Sequence, residues 1–171
     1  MNNKKLEYAV ILHALNSDSP VTNYDLALCY DEINQTASAI SHYLRCAERT
    51  KDKNLQYECM VRAGLSIKKQ GGRLHTEKSF FQNAIFILPE KPEAYLFLSE
   101  TLFSMGKKHD AFTMICICEH IEKNNKKNLI NNIPYNGLVE IKFKKHLYAK
   151  SCGIIFYDED SFLNNLECNK K

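Results

Sequence analysis

The sequence has no long apolar run and little net charge, and both absences exclude classes of protein. No apolar stretch approaches the roughly 20 residues that a membrane-spanning helix needs. A formal net charge of +3 over 171 residues is too small to indicate nucleic acid or an anionic membrane as a partner by itself. Apolar residues make up 44% and charged residues 25% of the chain. This composition is typical of an ordinary globular protein that can bury a sizeable core.

Signatures of catalysis and of cofactor binding are also missing. The Gly71-Gly72 doublet has no strand before it, so it does not form a glycine-rich phosphate loop. No serine or cysteine has the flanking residues of a recognised nucleophile. The acidic triplet 158–160 is similar to a metal-binding motif of nucleotide-sugar transferases, but its place before a predicted helix favours a role in capping that helix. The sequence therefore predicts no cofactor and no enzymatic activity.

The cysteines and histidines indicate neither a disulfide framework nor a metal site. Seven cysteines form no paired set, which is typical of a reduced, cytoplasmic protein. The basic and then apolar N-terminus resembles a secretory signal, but Glu7 and His13 interrupt it and no small-residue cleavage site follows. In Cys116-x-Cys118-x-His120, helical spacing directs Cys118 away from the other two side chains. Two ligands then remain where zinc usually has four, so we expect no metal.

The sequence does contain a strong helical pattern between residues 92 and 119. It predicts two amphipathic helices separated at Gly106, a residue that readily adopts the left-handed conformation of a helix end. The apolar positions of the two helices recur at spacings of three and four: Tyr95, Leu98, Leu102 and Met105, then Ala111, Ile115 and Cys118. Two small residues, Ser99 and Ala111, lie where the helices would cross, which would let their backbones approach closely.

The same pattern occurs twice upstream. The small residues Ala27, Gly64 and Ser99 recur about 34–37 positions apart, which is the period of helical-hairpin repeats. Residues 20–120 resemble the tetratricopeptide repeat family. The shared features are the order of large and small residues in each hairpin, the turn between its helices and the proline between repeats. The second repeat departs from the family pattern, because Glu77 replaces the usual alanine and a second glycine lengthens the turn. The resemblance implies an all-α solenoid of stacked antiparallel helical hairpins.

We therefore predict a single domain built from four parts. Residues 4–16 form an N-terminal capping helix, and residues 20–122 form three repeats. Residues 123–133, rich in lysine and asparagine, form a polar loop. Residues 134–168 form a divergent C-terminal hairpin, with one helix over 135–152 and another over about 159–168, the latter marked by Phe162, Leu163 and Leu166.

The resemblance also implies a concave groove, lined by the first helix of each hairpin, that binds a peptide or helix of a partner protein. When the register of the repeats is projected onto the three first helices, the residues that face the groove are Tyr24, Leu28, Asp31, Glu58, Val61, Leu65, Lys68, Leu96, Glu100 and Phe103. Related repeats hold the carboxylate end of chaperone tails with lysine and asparagine. The resemblance places these at positions that here are Tyr24, Leu28, Val61, Leu65, Leu96 and Glu100, so chaperone tails are not expected as partners. The groove should be apolar with an acidic margin. Either a partner or the chain's own helix 135–152 should cover it.

Two other interpretations remain open from the sequence. The segments QTASAISHYLRCAERT and KPEAYLFLSE are similar to tetratricopeptide segments associated with glycosyltransferases of bacteria and their phages. The chain would then be a component of glycan synthesis, either a stand-alone accessory domain or a diverged enzyme. A third interpretation is nucleic-acid binding through the basic face formed by Lys142, Lys144, Lys145 and Lys150. We favour a non-catalytic scaffold for protein partners.

Overall fold

The computed structural model describes residues 2–124, 135 and 137–154, and every regular element in these ranges is an α-helix. This confirms the predicted all-α class. The predicted helix 159–168, the acidic triplet 158–160 and nearly all of the polar loop lie outside the described residues. The eight described helices are α1 (Asn2–Leu15), α2 (Pro20–Glu32), α3 (Thr36–Arg49), α4 (Lys53–Gln70), α5 (Leu74–Ile87), α6 (Pro92–Ser104), α7 (Lys108–Asn124) and α8 (Leu138–Ser151).

Consecutive helices pack against each other along the whole described chain, as expected for a solenoid of hairpins. The three hairpins are α2–α3, α4–α5 and α6–α7, while α1 packs on α2 and α8 packs on α7. Residues with positive φ stand at the turns, including Asn34 at 60° and Gly106 at 77°. After α6, the N–H of Gly106 donates to Phe103 O and that of Lys107 donates to Leu102 O, each at 2.9 Å. These bonds close the helix end in the way that left-handed caps usually do.

The small residues that mark the repeats lie in the interior of the stack. Ala27, Gly64 and Ser99 are all buried, as the spacing of the small residues predicts. At Gly64 the two helices of the middle hairpin meet closely, since the ring of Phe81 from α5 lies directly over the glycine backbone. A side chain at Gly64 would occupy the space of that ring, and this explains why the middle hairpin has glycine where the others have alanine or serine.

Buried polar groups join neighbouring hairpins as well. Tyr57 on α4 donates a hydrogen bond from its hydroxyl to Glu93 Oε2 at 3.0 Å and accepts one from the N–H of Ala94 at 3.1 Å. Glu77, at the position where the family usually has alanine, is buried and accepts a hydrogen bond from Thr101 Oγ1 at 2.5 Å. The glutamate that stands in place of the usual alanine therefore has a polar partner on the next helix. This partner offsets the cost of burying the carboxyl group.

The end helices differ slightly from the sequence prediction. Helix α1 runs from residue 2 to residue 15, and α8 begins at Leu138 where the sequence predicted residue 135. Gly137 has φ of 64° and ψ of −148°, a conformation outside the helical region, so the helix starts after it. Gly153, with φ of 72°, follows the end of α8 as predicted.

Candidate partner-binding face

The ten residues predicted to line the groove lie on the three first helices α2, α4 and α6, and we call the surface that they share the inner face. Two of them do not belong to a surface. Val61 and Leu96 are completely buried, so neither side chain can contact a partner. The other eight are partly exposed: Tyr24, Leu28, Asp31, Glu58, Leu65, Lys68, Glu100 and Phe103. The exposed part of the predicted set is therefore smaller and less apolar than the sequence indicated.

The error at Val61 and Leu96 has a physical cause in the packing of the first helices. The projection assumed that one side of each first helix faces solvent. However, the first eight residues of α6, from Pro92 to Ser99, are all buried, because neighbouring elements enclose the first half of this helix. Leu96 and Val61 belong to the same apolar cluster, which extends from α4 to α8.

Polar contacts connect α2 and α4 across the inner face. The hydroxyl of Tyr24 donates a hydrogen bond to Glu58, and Glu58 also accepts one from Arg62 Nε at 2.8 Å. The guanidinium of Arg62 lies 5.7 Å from the centre of the Tyr24 ring, within the range of a cation–π contact. Burial, followed by the bond to Glu58, raises the pKa of Tyr24 well above its ordinary value. The phenol therefore stays protonated and acts as a donor.

Asp31 makes the second link between the same two helices. Its carboxylate accepts a hydrogen bond from Ser66 Oγ at 2.9 Å and contacts Lys69 Nζ at 3.0 Å. Arg62 and Lys69 also belong to this face, although the sequence did not predict them. They lie four positions after the predicted residues Glu58 and Leu65, so helical spacing carried the signal for both.

A cavity of about 320 Å³ opens between α2 and α4. Three cations, one carboxylate and one leucine line it: Asp31, Arg62, Leu65, Lys68 and Lys69. Each of the three cations has a carboxylate partner: Arg62 contacts Glu58, Lys68 contacts Glu100 and Lys69 contacts Asp31. The leucine gives the same cavity an apolar wall.

Helix α8 occupies the part of the inner face that belongs to the third hairpin. Glu100 on α6 contacts both Lys68 and Lys144, and Lys144 also contacts Glu140 at 2.6 Å. The ring of Phe103 stacks on that of Tyr148, with 4.5 Å between the ring centres. Burial lowers the pKa of Lys68, and burial together with the charge of Lys68 lowers that of Lys144 to about 8. The chain's own helix thus contacts Glu100 and Phe103, whereas the stretch on α2 and α4 stays accessible.

The other candidate sites from the sequence do not come together. Cys118 is buried and bonds to Pro92 O at 3.2 Å, while Cys116 is half-buried and His120 contacts Asn124. Within the described ranges, no three His, Cys, Asp or Glu side chains are grouped so that they could hold a metal.

The proposed basic face of α8 is also divided. Lys144 is in the ion pairs described above, and Lys145 contacts Glu119 at 2.6 Å, whereas Lys142 and Lys150 are exposed. In the part of the chain that the structure describes, no helix is both long and apolar enough to cross a membrane.

Comparisons with known proteins bear on the fold. No protein-family model matches the sequence, and no match was found among curated proteins. Among solved structures, a crystal structure of MamA has a TM-score of 0.65 at 17% sequence identity and covers 72% of this chain and 70% of that chain. A second crystal structure of the MamA protein has a TM-score of 0.64 at 17% identity, covering 75% and 70% of the two chains. MamA MSR-1 C2 has a TM-score of 0.60 at 16% identity, covering 72% and 68%.

This similarity supports one of the two resemblances noted in the sequence. MamA is a helical solenoid of the tetratricopeptide type, and at this sequence identity the likeness shows the fold alone. The glycosyltransferase-associated resemblance receives no support from these structures. The chain therefore has a tetratricopeptide-like fold of stacked helical hairpins.

Proposed function

We propose that this chain is a non-catalytic scaffold that binds a segment of a partner protein along the inner face of α2 and α4. The observation that carries this proposal is the open cavity between these two helices, lined by polar side chains around Leu65. Concave sites with an apolar wall and a few convergent polar groups are the usual places for ligands. A tetratricopeptide-like fold fits this role, because its first helices present side chains from successive repeats on one surface.

The bound segment should lie on the first two hairpins. Tyr24, Leu28 and Leu65 are partly exposed there, whereas Phe103 on the third hairpin already stacks on Tyr148 of α8. A partner that reached the third hairpin would have to displace α8. The first two hairpins need no such rearrangement.

The lining of the cavity suggests the chemistry of the segment. An apolar side chain would pack on Leu65, and an acidic side chain close to it would contact Lys68 and Lys69. Both lysines already have carboxylate partners, Glu100 and Asp31. An incoming carboxylate would therefore share them, and this favours a modest affinity that falls with added salt.

Selection of displayed random peptides on the immobilised full chain tests the proposal. We expect the enriched peptides to combine an acidic residue with an apolar one. Their affinity, measured by fluorescence anisotropy, should fall about tenfold or more in Leu65→Ala, since burying a leucine side chain contributes about 1.5–3 kcal/mol. Phe86→Ala is the matched control, because Phe86 is a large, exposed apolar residue on the second helix α5.

Two results would contradict the proposal. One is the absence of any enriched peptide class. The other is a set of peptides that bind wild type and Leu65→Ala equally well while both proteins remain folded by circular dichroism. Loss of binding in Phe86→Ala alone would move the site to the second-helix surface.

The remaining parts of the sequence interpretation stay predictions. The cytoplasmic location is predicted by the odd number of cysteines. The exclusion of chaperone tails is predicted by the missing lysine and asparagine pattern of the groove. Nucleic acid is not proposed as a partner, since Lys144 and Lys145 of the basic face are in ion pairs with glutamates.

A further inference from the structure

Helix α1 is held on the stack by a small part of its surface. Within residues 4–15, four side chains are not exposed to solvent: Leu6, Ala9, Leu12 and His13. The apolar part of the contact joins Leu6 and Ala9 to α2. A helix with so small a buried face gains little free energy from packing, so one further contact can decide whether it stays docked.

Two histidine rings make such a further contact. His13, in the last turn of α1, meets His42 of α3 in a T-shaped arrangement, with 4.9 Å between the ring centres and 86° between the ring planes. Nε2 of His13 is buried and has no hydrogen-bond partner among the described residues. Ring packing therefore joins His13 to α3 at this point.

The hydrogen bonds of Asn23 define which nitrogen of His42 carries the hydrogen. Asn23 is completely buried, and its Nδ2 donates to Ser17 O at 2.7 Å and to Ser19 O at 2.9 Å. Its Oδ1, which lies 3.1 Å from His42 Nδ1, is therefore an acceptor, and Nδ1 of the neutral ring is the donor. A second proton on His42 would consequently bind at Nε2.

The surroundings of His42 disfavour that second proton. Among the described residues, the charged groups that act on His42 are both basic, His13 on α1 and Arg45 on α3. Helix α2 contributes two uncharged groups, Asn23 and the ring of Tyr30, which stacks on His42 with 5.6 Å between the ring centres. Burial lowers the pKa of His42 below its ordinary value of 6.5, and the charges of His13 and Arg45 lower it further. Detaching α1 removes His13 and part of the burial, so protonation favours the detached helix.

We propose that the contact between His13 and His42 is a pH-sensitive latch that keeps α1 docked at neutral pH and releases it in acid. Because the released state binds the proton more readily, the ratio of released to docked α1 should rise as the pH falls below 6.5. The rise is at most about tenfold per pH unit and levels off below the pKa of the docked state. Release uncovers Leu26 and Cys29 of α2 at the N-terminal end of the stack. The latch uses no residue of the inner face, so it is independent of the proposed partner binding.

NMR spectroscopy of the isotope-labelled full chain between about pH 8 and about pH 5 tests the latch. The heteronuclear NOE of the backbone amides in residues 4–15 reports whether α1 is docked, and the ring C–H shifts report the titration of His42. We expect the NOE of α1 to fall as His42 gains its proton. The amides of α4 to α7 should keep their NOE over the same range.

Two substitutions remove the titrating group in different ways. His42→Phe keeps a ring between Tyr30 and His13, whereas His42→Gln keeps an N–H donor for Asn23. Both should abolish the pH dependence of the α1 NOE, whatever its value at neutral pH. His13→Phe keeps the ring contact without the second imidazole, so more α1 should stay docked at the acid end. His109→Gln, at an exposed site on α7, is the matched control and should keep the wild-type profile.

Four results would overturn the proposal. One is an α1 NOE that stays high to the acid end of the series, and another is an α1 NOE that is already low at the alkaline end. A fall that is equal across the whole chain would show that acid unfolds the stack as one unit. A wild-type profile in both His42 variants, or in His13→Phe, would show that the contact between the two rings is not the latch.

Discussion

The ring of Phe81 lies so close to Gly64 that a β-carbon built on this glycine would be 2.6 Å from Phe81 Cε1. Phe81 is completely buried and packs on Phe97, with 5.5 Å between the ring centres, so any shift of the ring would disturb this packing. We expect Gly64→Ala to lower the free energy of unfolding by about 1–2 kcal/mol. Overpacking a core costs about 1–3 kcal/mol, and the higher helix propensity of alanine recovers up to about 1 kcal/mol. Urea denaturation measures the change.

Phe81→Leu provides the matched background for this substitution. In that background the smaller side chain leaves room for a methyl group, so Gly64→Ala should be neutral or stabilising. Equal destabilisation by Gly64→Ala in both backgrounds would show that the contact with Phe81 is not the cause.

Tyr57→Phe removes one buried hydroxyl, and we expect it to destabilise the protein by about 1–3 kcal/mol. The reason is that the N–H of Ala94 loses the buried hydroxyl that accepts its hydrogen bond and Glu93 loses one of its donors, and an unsatisfied buried group costs about that much. Tyr8→Phe removes a hydroxyl from an exposed ring and serves as the control, with a change near zero. Equal midpoints for the two variants in denaturant would contradict the role given to Tyr57.

Tyr148→Ala should release α8 from the third hairpin without unfolding the first two. The substitution removes the stacking on Phe103 and the burial of a large ring, which together cost roughly 3–5 kcal/mol. Hydrogen exchange followed by mass spectrometry should show faster exchange of residues 138–151 and unchanged protection of α2 and α3. Val139→Ala, on the exposed side of α8, should leave both regions protected. Equal acceleration across the whole chain would mean that α8 does not open separately.

Stability should fall with acidification through the titration of His42. The ring stacks on Tyr30, and its Nδ1 lies 3.1 Å from Asn23 Oδ1. Burial lowers the pKa of His42 below 6.5, and the charges of His13 and Arg45 lower it further. The unfolded chain therefore binds the proton more readily. The contribution of neutral His42 to the free energy of unfolding is complete above pH 6.5 and is lost as the pH falls through the pKa of the folded state. The free energy falls by at most about 1.4 kcal/mol per pH unit.

Denaturant titrations at a series of pH values check this effect by comparing variants. His42→Gln should have a shallower dependence on pH below 6.5 than wild type. His109→Gln, at an exposed site on α7, should keep the wild-type dependence. An unchanged slope in His42→Gln would show that other groups cause the loss of stability.

The fold could be predicted from the sequence because its determinants recur. Ala27, Gly64 and Ser99 repeat at the hairpin period, and all three are buried, with Gly64 directly beneath the ring of Phe81. Turn residues such as Asn34 and Gly106 mark the helix ends through their own backbone preferences. Both signals are local, so a single sequence shows them.

The candidate site could be predicted only in part, because its details depend on contacts between helices. Helical spacing places Leu65 and Asp31 on the inner face, but it cannot show that neighbouring helices enclose Leu96. The pairing of Asp31 with Lys69 likewise depends on the register between α2 and α4. That register is set by the packing of the hairpins, and the periodicity of one helix does not contain it.

Chemical-shift mapping of a selected peptide on the isotope-labelled chain tests the central proposal most directly. If the inner face binds the partner, the shifts and intermolecular contacts should be concentrated on α2 and α4, at Leu28, Leu65 and Lys69. Leu44 and Phe86, which are exposed on the second helices, should be unaffected. Perturbations centred on Leu44 and Phe86, with Leu28 and Leu65 unchanged, would contradict the account.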